Sequence, residues 1–153
     1  MEPGGKRLRI RRVVLDTSVL VAYLRTGRYA EFILEHIKTD SVFLPGVVLA
    51  ELYARALTSE DLRDVEDFRR ALEPHIIGTD ERVWLLAGRC LSRYAMRWGK
   101  VRRRDHLADI LIAVCAARFN LDLITENHVH MQRWSSILNR QGYRLKVLSP
   151  PAA

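Results

Sequence analysis

Short apolar runs alternate along this chain with segments of helical periodicity, an order typical of folds in which helices surround a parallel β-sheet. The run Val13, Val14 and Leu15 is continuous in hydrophobicity, as in a strand that is covered on both faces. Similar patterns predict strands at residues 10–16, 42–44 and 121–125, a short strand at 75–77, and an edge strand at 143–149. The sequence therefore predicts an α/β fold with a central parallel sheet.

The spacing of apolar residues predicts helices at residues 18–25, 29–38 and 46–57, a long helical middle at 59–98, and a helical or irregular piece at 129–140. The stretch "HLADILIAVCAARFN" is apolar nearly all round, so we expect a buried central helix that ends at Asn120 in a left-handed conformation. Small polar side chains are expected to cap the helix starts: Thr17 or Ser18, Ser59, and Thr79 or Asp80.

The length of 153 residues is sufficient for one domain with a hydrophobic core. We expect a flexible basic tail at residues 1–9, followed by a single domain at residues 10–150. The hydrophobic share of 48% and the charged share of 28% are typical of a folded soluble protein. Because no apolar window is long enough to cross a bilayer and no apolar segment follows the first positive charges, we expect a cytoplasmic location without membrane contact.

The net charge of +7 arises mainly from two basic clusters, at residues 6–12 and 100–104. Such a charge favours a polyanion such as nucleic acid as partner, although a well-solvated basic surface has the same composition. Cys90 and Cys115 lie in helical patterns without CxxC spacing, so we expect both in the core.

Several acids interrupt apolar patterns at positions where a charged side chain does not contribute to packing of the core. Asp16 follows the first strand, Glu51 lies in the apolar helix "PGVVLAELYARAL", and Asp109 lies in the central helix. Asp105 is one turn before Asp109 on the same helix face, and Glu126 follows the strand "LDLIT". Ligands bind at the carboxyl edge of open parallel sheets, so we expect these acids to converge there.

Each acid also has a purely structural interpretation. Asp16 could cap a helix or form a salt bridge, and Glu51 could pair with Arg55 one turn later. Asp105 could cap the central helix, where the helix dipole also favours Asp109, and Glu126 could be a solvated loop residue.

Buried carboxylates need either arginine partners or a cation, because burying them singly costs several kcal/mol. Carboxylates at one sheet edge suit Mg²⁺ or Mn²⁺, which prefer oxygen ligands, and such an ion can activate water for attack on a phosphodiester. Together with the basic surface, this pattern predicts nucleic-acid hydrolysis. His106, His128 and His130 lack a second cluster of soft ligands at zinc-finger or HExxH spacing, so the spacing does not favour zinc.

Nearly the whole chain resembles the PIN-domain family, and especially the toxin ribonucleases of VapBC toxin–antitoxin pairs. The resemblance rests on "VVLDTSVLVAYL", "LPGVVLAELYARAL" and "ADILIAVCAARFNLDLITEN", in this order and spacing. It implies a three-layer α/β/α sandwich with about five parallel strands and a Mg²⁺- or Mn²⁺-dependent endoribonuclease activity. By position, Asp16, Glu51 and Asp109 match metal-binding acids, and Ser18 matches the hydroxyl that supports them. The family also implies a homodimer and an inhibitory antitoxin, with the helical middle contributing to the groove.

The turn after the fourth strand departs from the family pattern. The family commonly has a fourth aspartate there, whereas this chain has Asn127, then His130 and Met131 at the matching places. Asn127 can still hold a metal-bound water, and Glu126 or Asp105 could replace the missing carboxylate. A site with fewer charges should hold a second ion poorly, so we predict a single-metal or weakly metallated site.

The resulting functional prediction is a metal-dependent ribonuclease that leaves a 5′-phosphate and a 3′-hydroxyl. Asp16, Glu51 and Asp109 are expected to bind the ion, with Asp105 and Glu126 as further candidates, while Ser18 and Asn127 hold ligands and waters in place. The basic clusters are expected to position the RNA backbone. The alternative is a catalytically degenerate RNA-binding or regulatory module, which the altered turn favours.

Overall fold

The structure is a computed structural model that describes residues 10–151, apart from the side chains of residues 103–105. The tail expected at residues 1–9 lies outside this range. In chain order the elements are β1 (Val13–Leu15), α1 (Thr17–Thr26), α2 (Ala30–Lys38), β2 (Val42–Pro45), α3 (Gly46–Ala54), α4 (Ser59–Ala71), a 3-10 turn (Glu73–His75), β3 (Ile76–Ile77), α5 (Glu81–Trp98), α6 (Arg103–Arg118), β4 (Asp122–Ile124), α7 (His128–Arg140) and β5 (Val147–Leu148).

The strands form one five-stranded sheet in the order β3-β2-β1-β4-β5, and every neighbouring pair is parallel. The α/β/α architecture with a parallel sheet is confirmed, as is the edge position of β5. In the register of the central pair, Leu15 of β1 lies opposite Ile124 of β4. The residues that follow these two strands therefore emerge side by side at the carboxyl edge of the sheet.

Helix α6 is the central helix that the apolar pattern predicts. Its residues from Ile110 to Ala117 are buried, and it packs on β1 and β4 and against α5 and α7. Asn120 adopts a left-handed conformation just after α6, as expected. Cys90 and Cys115 are free and buried, and burial raises the pKa of the Cys115 thiol to about 11, so this thiol stays neutral at physiological pH. Within residues 10–151, no helix is both long and apolar enough to span a membrane.

The N-caps of two helices, α1 and α4, differ from the sequence predictions. Helix α1 begins at Thr17, and its N-cap is Asp16, whose carboxylate accepts a hydrogen bond from the Thr17 amide. The prediction of Thr17 or Ser18 as the cap was wrong, because the chain turns from strand into helix within a single residue, and the alternative that Asp16 caps a helix is confirmed. Helix α4 is capped by Thr58 rather than by Ser59. Asp80 caps α5, which confirms one of the two predicted alternatives.

The cap of α4 is a reciprocal capping box, in which Thr58 Oγ1 accepts from the Asp61 amide and Asp61 Oδ2 accepts from the Thr58 amide. We expect Thr58→Ala to lower the free energy of unfolding by about 1 kcal/mol, as for other N-cap losses. Chemical denaturation monitored by circular dichroism measures this difference. Thr79→Ala is the matched control, since among the described residues Thr79 makes no side-chain hydrogen bond. An equal loss in both variants would contradict the capping interpretation.

Candidate functional site

Asp16 lies directly after β1 at the carboxyl edge of the sheet, and only 4% of it is exposed. Its Oδ1 accepts from the Thr17 amide at 2.7 Å, and its Oδ2 accepts from Thr125 Oγ1 at 2.6 Å and from Ser18 Oγ at 3.2 Å. Burial raises the pKa of Asp16 above its ordinary value, although these hydrogen bonds favour the charged form. The carboxylate is thus held in one orientation by three donors, of which Ser18 is the one expected from the sequence.

Thr125 is a part of the site that the sequence analysis missed. Thr125 follows β4 and is fully buried. Its Oγ1 donates to the Asp16 carboxylate and accepts from the backbone N–H of Asn127 at 2.9 Å. The hydroxyl therefore joins the Asp16 carboxylate to the turn after β4. The sequence does place a hydroxyl directly after an apolar strand. The contact of Thr125 with Asp16, however, depends on β1 and β4 being neighbours in register.

Glu51 reaches the same edge of the sheet from α3. Thr17 Oγ1 donates a short hydrogen bond to Glu51 Oε2, and Thr17 is the residue next to Asp16. Glu51 is half-buried, and within residues 10–102 and 106–151 it forms no ion pair with Arg55 or any other cation. The predicted alternative of a Glu51–Arg55 ion pair is therefore not seen among these residues, and metal binding by Glu51 stays a prediction.

Asp109 approaches these two acids from α6. Burial, followed by the negative charges of Asp16 and Glu51, raises the pKa of Asp109 from 3.8 to about 7. The charges of Asp16 and Glu51 thus act on Asp109, but oxygens of the three carboxylates do not all lie within 4.8 Å of one another, so their convergence on one ion stays a prediction. The side chain of Asp109 is 25% exposed, and its Oδ2 lies 3.9 Å from His130 Nε2.

The other predicted site residues have different surroundings. Glu126 is exposed, and its carboxylate accepts from Tyr29 Oη at 2.6 Å and pairs with Arg28 at 3.5 Å. Asn127 is exposed and directly precedes α7, and its backbone N–H donates a hydrogen bond to Thr125 Oγ1. The side chain of Asp105 lies outside the described residues. Metal binding by Glu126 and Asp105 therefore stays a prediction.

The N-terminal basic cluster lies at the opposite end of β1 from the acids, as far as it is described. Arg11 pairs with Asp122 at 2.8 Å, and the Arg12 guanidinium lies 5.6 Å from the centre of the Phe43 ring. Both arginines precede β1, whereas Asp16 follows it. Arg11 and Arg12 therefore mark the amino edge of the sheet rather than the edge with the carboxylates.

Asp16, Glu51 and Asp109 offer the oxygen donors that a hard divalent cation prefers, although one oxygen from each does not yet lie within 4.8 Å of the other two. In the part of the chain with described side chains, no lysine or arginine forms an ion pair with Asp16, Glu51 or Asp109. Three clustered carboxylates without a positive partner repel one another, and this repulsion contributes to the raised pKa of Asp109. A Mg²⁺ or Mn²⁺ ion offers the positive charge and the preference for oxygen that such a set requires.

The chain is similar to a known protein family in sequence and to solved structures in fold. The family model described as PIN domain matches residues 13–133. The structure resembles a chain of the DNA-bound VapBC complex from Salmonella typhimurium, with a TM-score of 0.72, 18% identity, and coverage of 93% of this chain and 100% of that one. It also resembles a chain of VapBC2 from Rickettsia felis, bound to a promoter DNA fragment, with a TM-score of 0.70, 19% identity, and coverage of 90% and 97%.

A chain of the FitAcB structure from Neisseria gonorrhoeae is similar too, with a TM-score of 0.66, 21% identity, and coverage of 90% of this chain and 97% of that one. No curated protein is a significant match to the sequence. At these identities the solved structures establish the shared fold, and the match of the family model over most of the chain establishes the family.

Proposed function

Since the chain belongs to the PIN domain family, we propose that it is a metal-dependent endoribonuclease and the toxin of a toxin–antitoxin pair. The observation that carries the proposal is the placement of Asp16, Glu51 and Asp109 at the carboxyl edge of the sheet, where burial and then the charges of the other two acids raise the pKa of Asp109 to about 7. Buried carboxylates close to one another lower the free energy of unfolding unless a cation balances their negative charge. The cluster is therefore better explained by function than by stability.

Asp16, Glu51 and Asp109 would hold a Mg²⁺ or Mn²⁺ ion. When bound, such an ion supplies Lewis acidity, lowers the pKa of a coordinated water, and offsets the negative charge of a phosphodiester. The chain's own residues fix the ligands in advance: Thr125 and Ser18 orient the Asp16 carboxylate, and Thr17 orients that of Glu51. Fixed ligands reduce the ordering that binding would otherwise require.

An antitoxin partner is supported by the similar structures, which are VapBC and Fit complexes. It is also consistent with large apolar side chains that α4 and α5 expose: Leu62, Trp84, Leu85 and Met96, each at least 46% exposed. Exposed apolar side chains of this size commonly mark surfaces that another protein covers. The homodimer implied by the family resemblance remains part of the proposal.

The proposal predicts RNA cleavage that requires a divalent ion. Purified protein is incubated with a 5′-labelled single-stranded RNA in Mn²⁺, in Mg²⁺ and in excess EDTA, and products are resolved on a sequencing gel. We expect cleavage in either metal, no cleavage in EDTA, and labelled products that end in 3′-hydroxyls.

Glu51→Gln keeps the shape of the side chain but removes its charge, so we expect at least about tenfold slower cleavage, in line with the cost of disturbing metal coordination. Glu60→Gln is the control, because Glu60 is exposed in the first turn of α4. Equal cleavage by the wild type and Glu51→Gln would show that cleavage does not depend on Glu51 and would contradict the proposal.

A degenerate RNA-binding module is the second candidate. It is favoured by the turn after β4, where the acid Glu126 is paired with Arg28 and Tyr29. This candidate predicts that the protein retards labelled RNA in a gel-shift assay but leaves it intact in Mn²⁺ and Mg²⁺. The cleavage assay therefore distinguishes the two functions directly.

A further inference from the structure

We propose that His106, Asp109 and His130 form a binding site for a borderline transition-metal ion, for which Zn²⁺ is the probe. The site adjoins the acidic cluster and shares Asp109 with it, but its other donors are imidazole nitrogens. The inference concerns ion binding by these residues and does not depend on RNA cleavage.

The three side chains meet because two helices pack together. His106 and Asp109 are three residues apart on α6, so they lie on the same face one turn apart, and His130 reaches them from the first turn of α7. His130 Nε2 lies 2.8 Å from His106 Nδ1 and 3.9 Å from Asp109 Oδ2. One ligand atom from each residue lies within 4.8 Å of the other two.

These separations are close to what one ion would require. Ligand atoms about 2.0–2.2 Å from a common ion lie roughly 3–3.5 Å from one another. The observed separations of 2.8 and 3.9 Å lie on either side of that range, so small side-chain rotations would bring the atoms into coordination. His106 and His130 now share a hydrogen bond, which an ion between the rings would replace.

Aromatic neighbours hold the two imidazoles in place. The rings of His106 and His130 are stacked, with centroids 4.7 Å apart. Tyr94 lies 5.6 Å from the His106 ring and stacks on the buried ring of Trp134 at 4.5 Å. The imidazoles are therefore supported by a packed cluster rather than displayed on a loop, and supported ligands lose little conformational freedom on binding.

The donor chemistry identifies the class of ion. Two imidazoles and one carboxylate are a ligand set that Zn²⁺ uses when one position stays open to solvent. Imidazole favours transition metals, whereas Mg²⁺ prefers oxygen and keeps its waters. We therefore expect this site to bind Zn²⁺ in preference to Mg²⁺, unlike the all-carboxylate cluster beside it.

The test is a Zn²⁺ titration of metal-free full-length protein in competition with a chromophoric chelator. Co²⁺ substitution provides a second readout, because its visible absorption spectrum reports the ligands. We expect His106→Gln and His130→Gln each to weaken Zn²⁺ binding by at least about tenfold, since disturbing even the outer partners of a metal costs that much. Both variants should also alter the Co²⁺ spectrum.

His128→Gln is the matched control, because His128 lies on the same turn of α7 but its ring contacts the Val147 carbonyl at 3.2 Å. It should leave Zn²⁺ affinity unchanged, and circular dichroism confirms that each variant is folded. Unchanged Zn²⁺ affinity in both His106→Gln and His130→Gln would overturn the proposal and leave the histidines as an aromatic stack.

Asp16→Asn separates this site from the acidic cluster. We expect it to reduce Zn²⁺ affinity less than either histidine variant does. If Asp16→Asn abolishes Zn²⁺ binding while the histidine variants retain it, the ion sits among the carboxylates and the proposal fails. A protein that binds Zn²⁺ through both histidines but does not cleave RNA would contradict the proposed function and support this site.

Discussion

The Asp16→Asn variant is expected to cleave RNA at least about a hundredfold more slowly than the wild type, because Asp16 is the most buried of the three carboxylates and a direct metal ligand in the proposed site. Asparagine has nearly the same shape and can still accept the hydrogen bond from the Thr17 amide. The hydroxyls of Thr125 and Ser18 can rotate to accept from its amide group. The substitution therefore removes the charge and leaves the fold intact.

Single-turnover cleavage of labelled RNA in Mn²⁺ measures this effect. The matched control is Asp122→Asn, which also alters a buried aspartate at a strand end, but at the amino edge of the sheet, where Asp122 pairs with Arg11. We expect this control to cleave RNA at a rate close to that of the wild type. Similar cleavage rates for Asp16→Asn and Asp122→Asn would exclude Asp16 as a metal ligand.

The Asp109→Asn variant is expected to be more stable than the wild type at pH 8 when no metal is present. The folded-state pKa of Asp109 is about 7, against an ordinary value of 3.8. Between these pH values the folded protein holds a proton that the unfolded chain has lost, so the free energy of unfolding falls as the pH rises from about 4 to about 7. Asparagine does not titrate, so the variant avoids this loss.

The expected gain at pH 8 is about 2 kcal/mol, roughly half of what a shift of this size implies, because Asp109 is partly exposed and its charge is partly screened. In a domain of this length, about 1 kcal/mol corresponds to roughly 2–4 °C in Tm, so several degrees are expected. Thermal unfolding in EDTA at pH 5 and pH 8 measures the difference. The gain should be less than half as large at pH 5, because most of the fall in wild-type stability occurs between pH 5 and pH 7.

Added Mn²⁺ should make the wild type more stable than the Asp109→Asn variant. The wild type should gain stability, because the ion binds the folded state and neutralises the cluster, whereas Asp109→Asn should gain much less. Asp64→Asn, which alters an exposed acid of α4, is the control and should follow the wild type in both conditions. If Asp109→Asn has the same pH dependence as the wild type, Asp109 is not the group whose pKa is raised.

The candidate site residues that the sequence could point to are those that depend on local patterns. An acid at the end of a continuous apolar strand, as at Asp16, and acids inside apolar helices, as at Glu51 and Asp109, stand out without knowledge of neighbours. The capping box at Thr58 was also readable, because Asp61 stands three residues later, but the adjacent Ser59 has the same capping preference.

Contacts between distant segments could not be predicted in the same way. Thr125 is an ordinary residue for the end of a strand, and it becomes part of the site only because β4 lies beside β1. His106 and His130 are far apart in sequence and match no metal-binding spacing. They come together because α6 packs against α7, which is a property of the tertiary structure.

The register between β1 and β4 has a consequence for how the site responds to its surroundings. The backbone amide of Asp16 donates to the Ile124 carbonyl at 2.9 Å, so the backbone that carries this carboxylate belongs to the ladder between the central strand β1 and its neighbour β4. Hydrogen bonds between the inner strands of a sheet are among the costliest in a domain to open. Inhibition by a partner would therefore work by covering the three carboxylates and not by unfolding the strands that carry them. Release of the partner would restore a competent site without a refolding step.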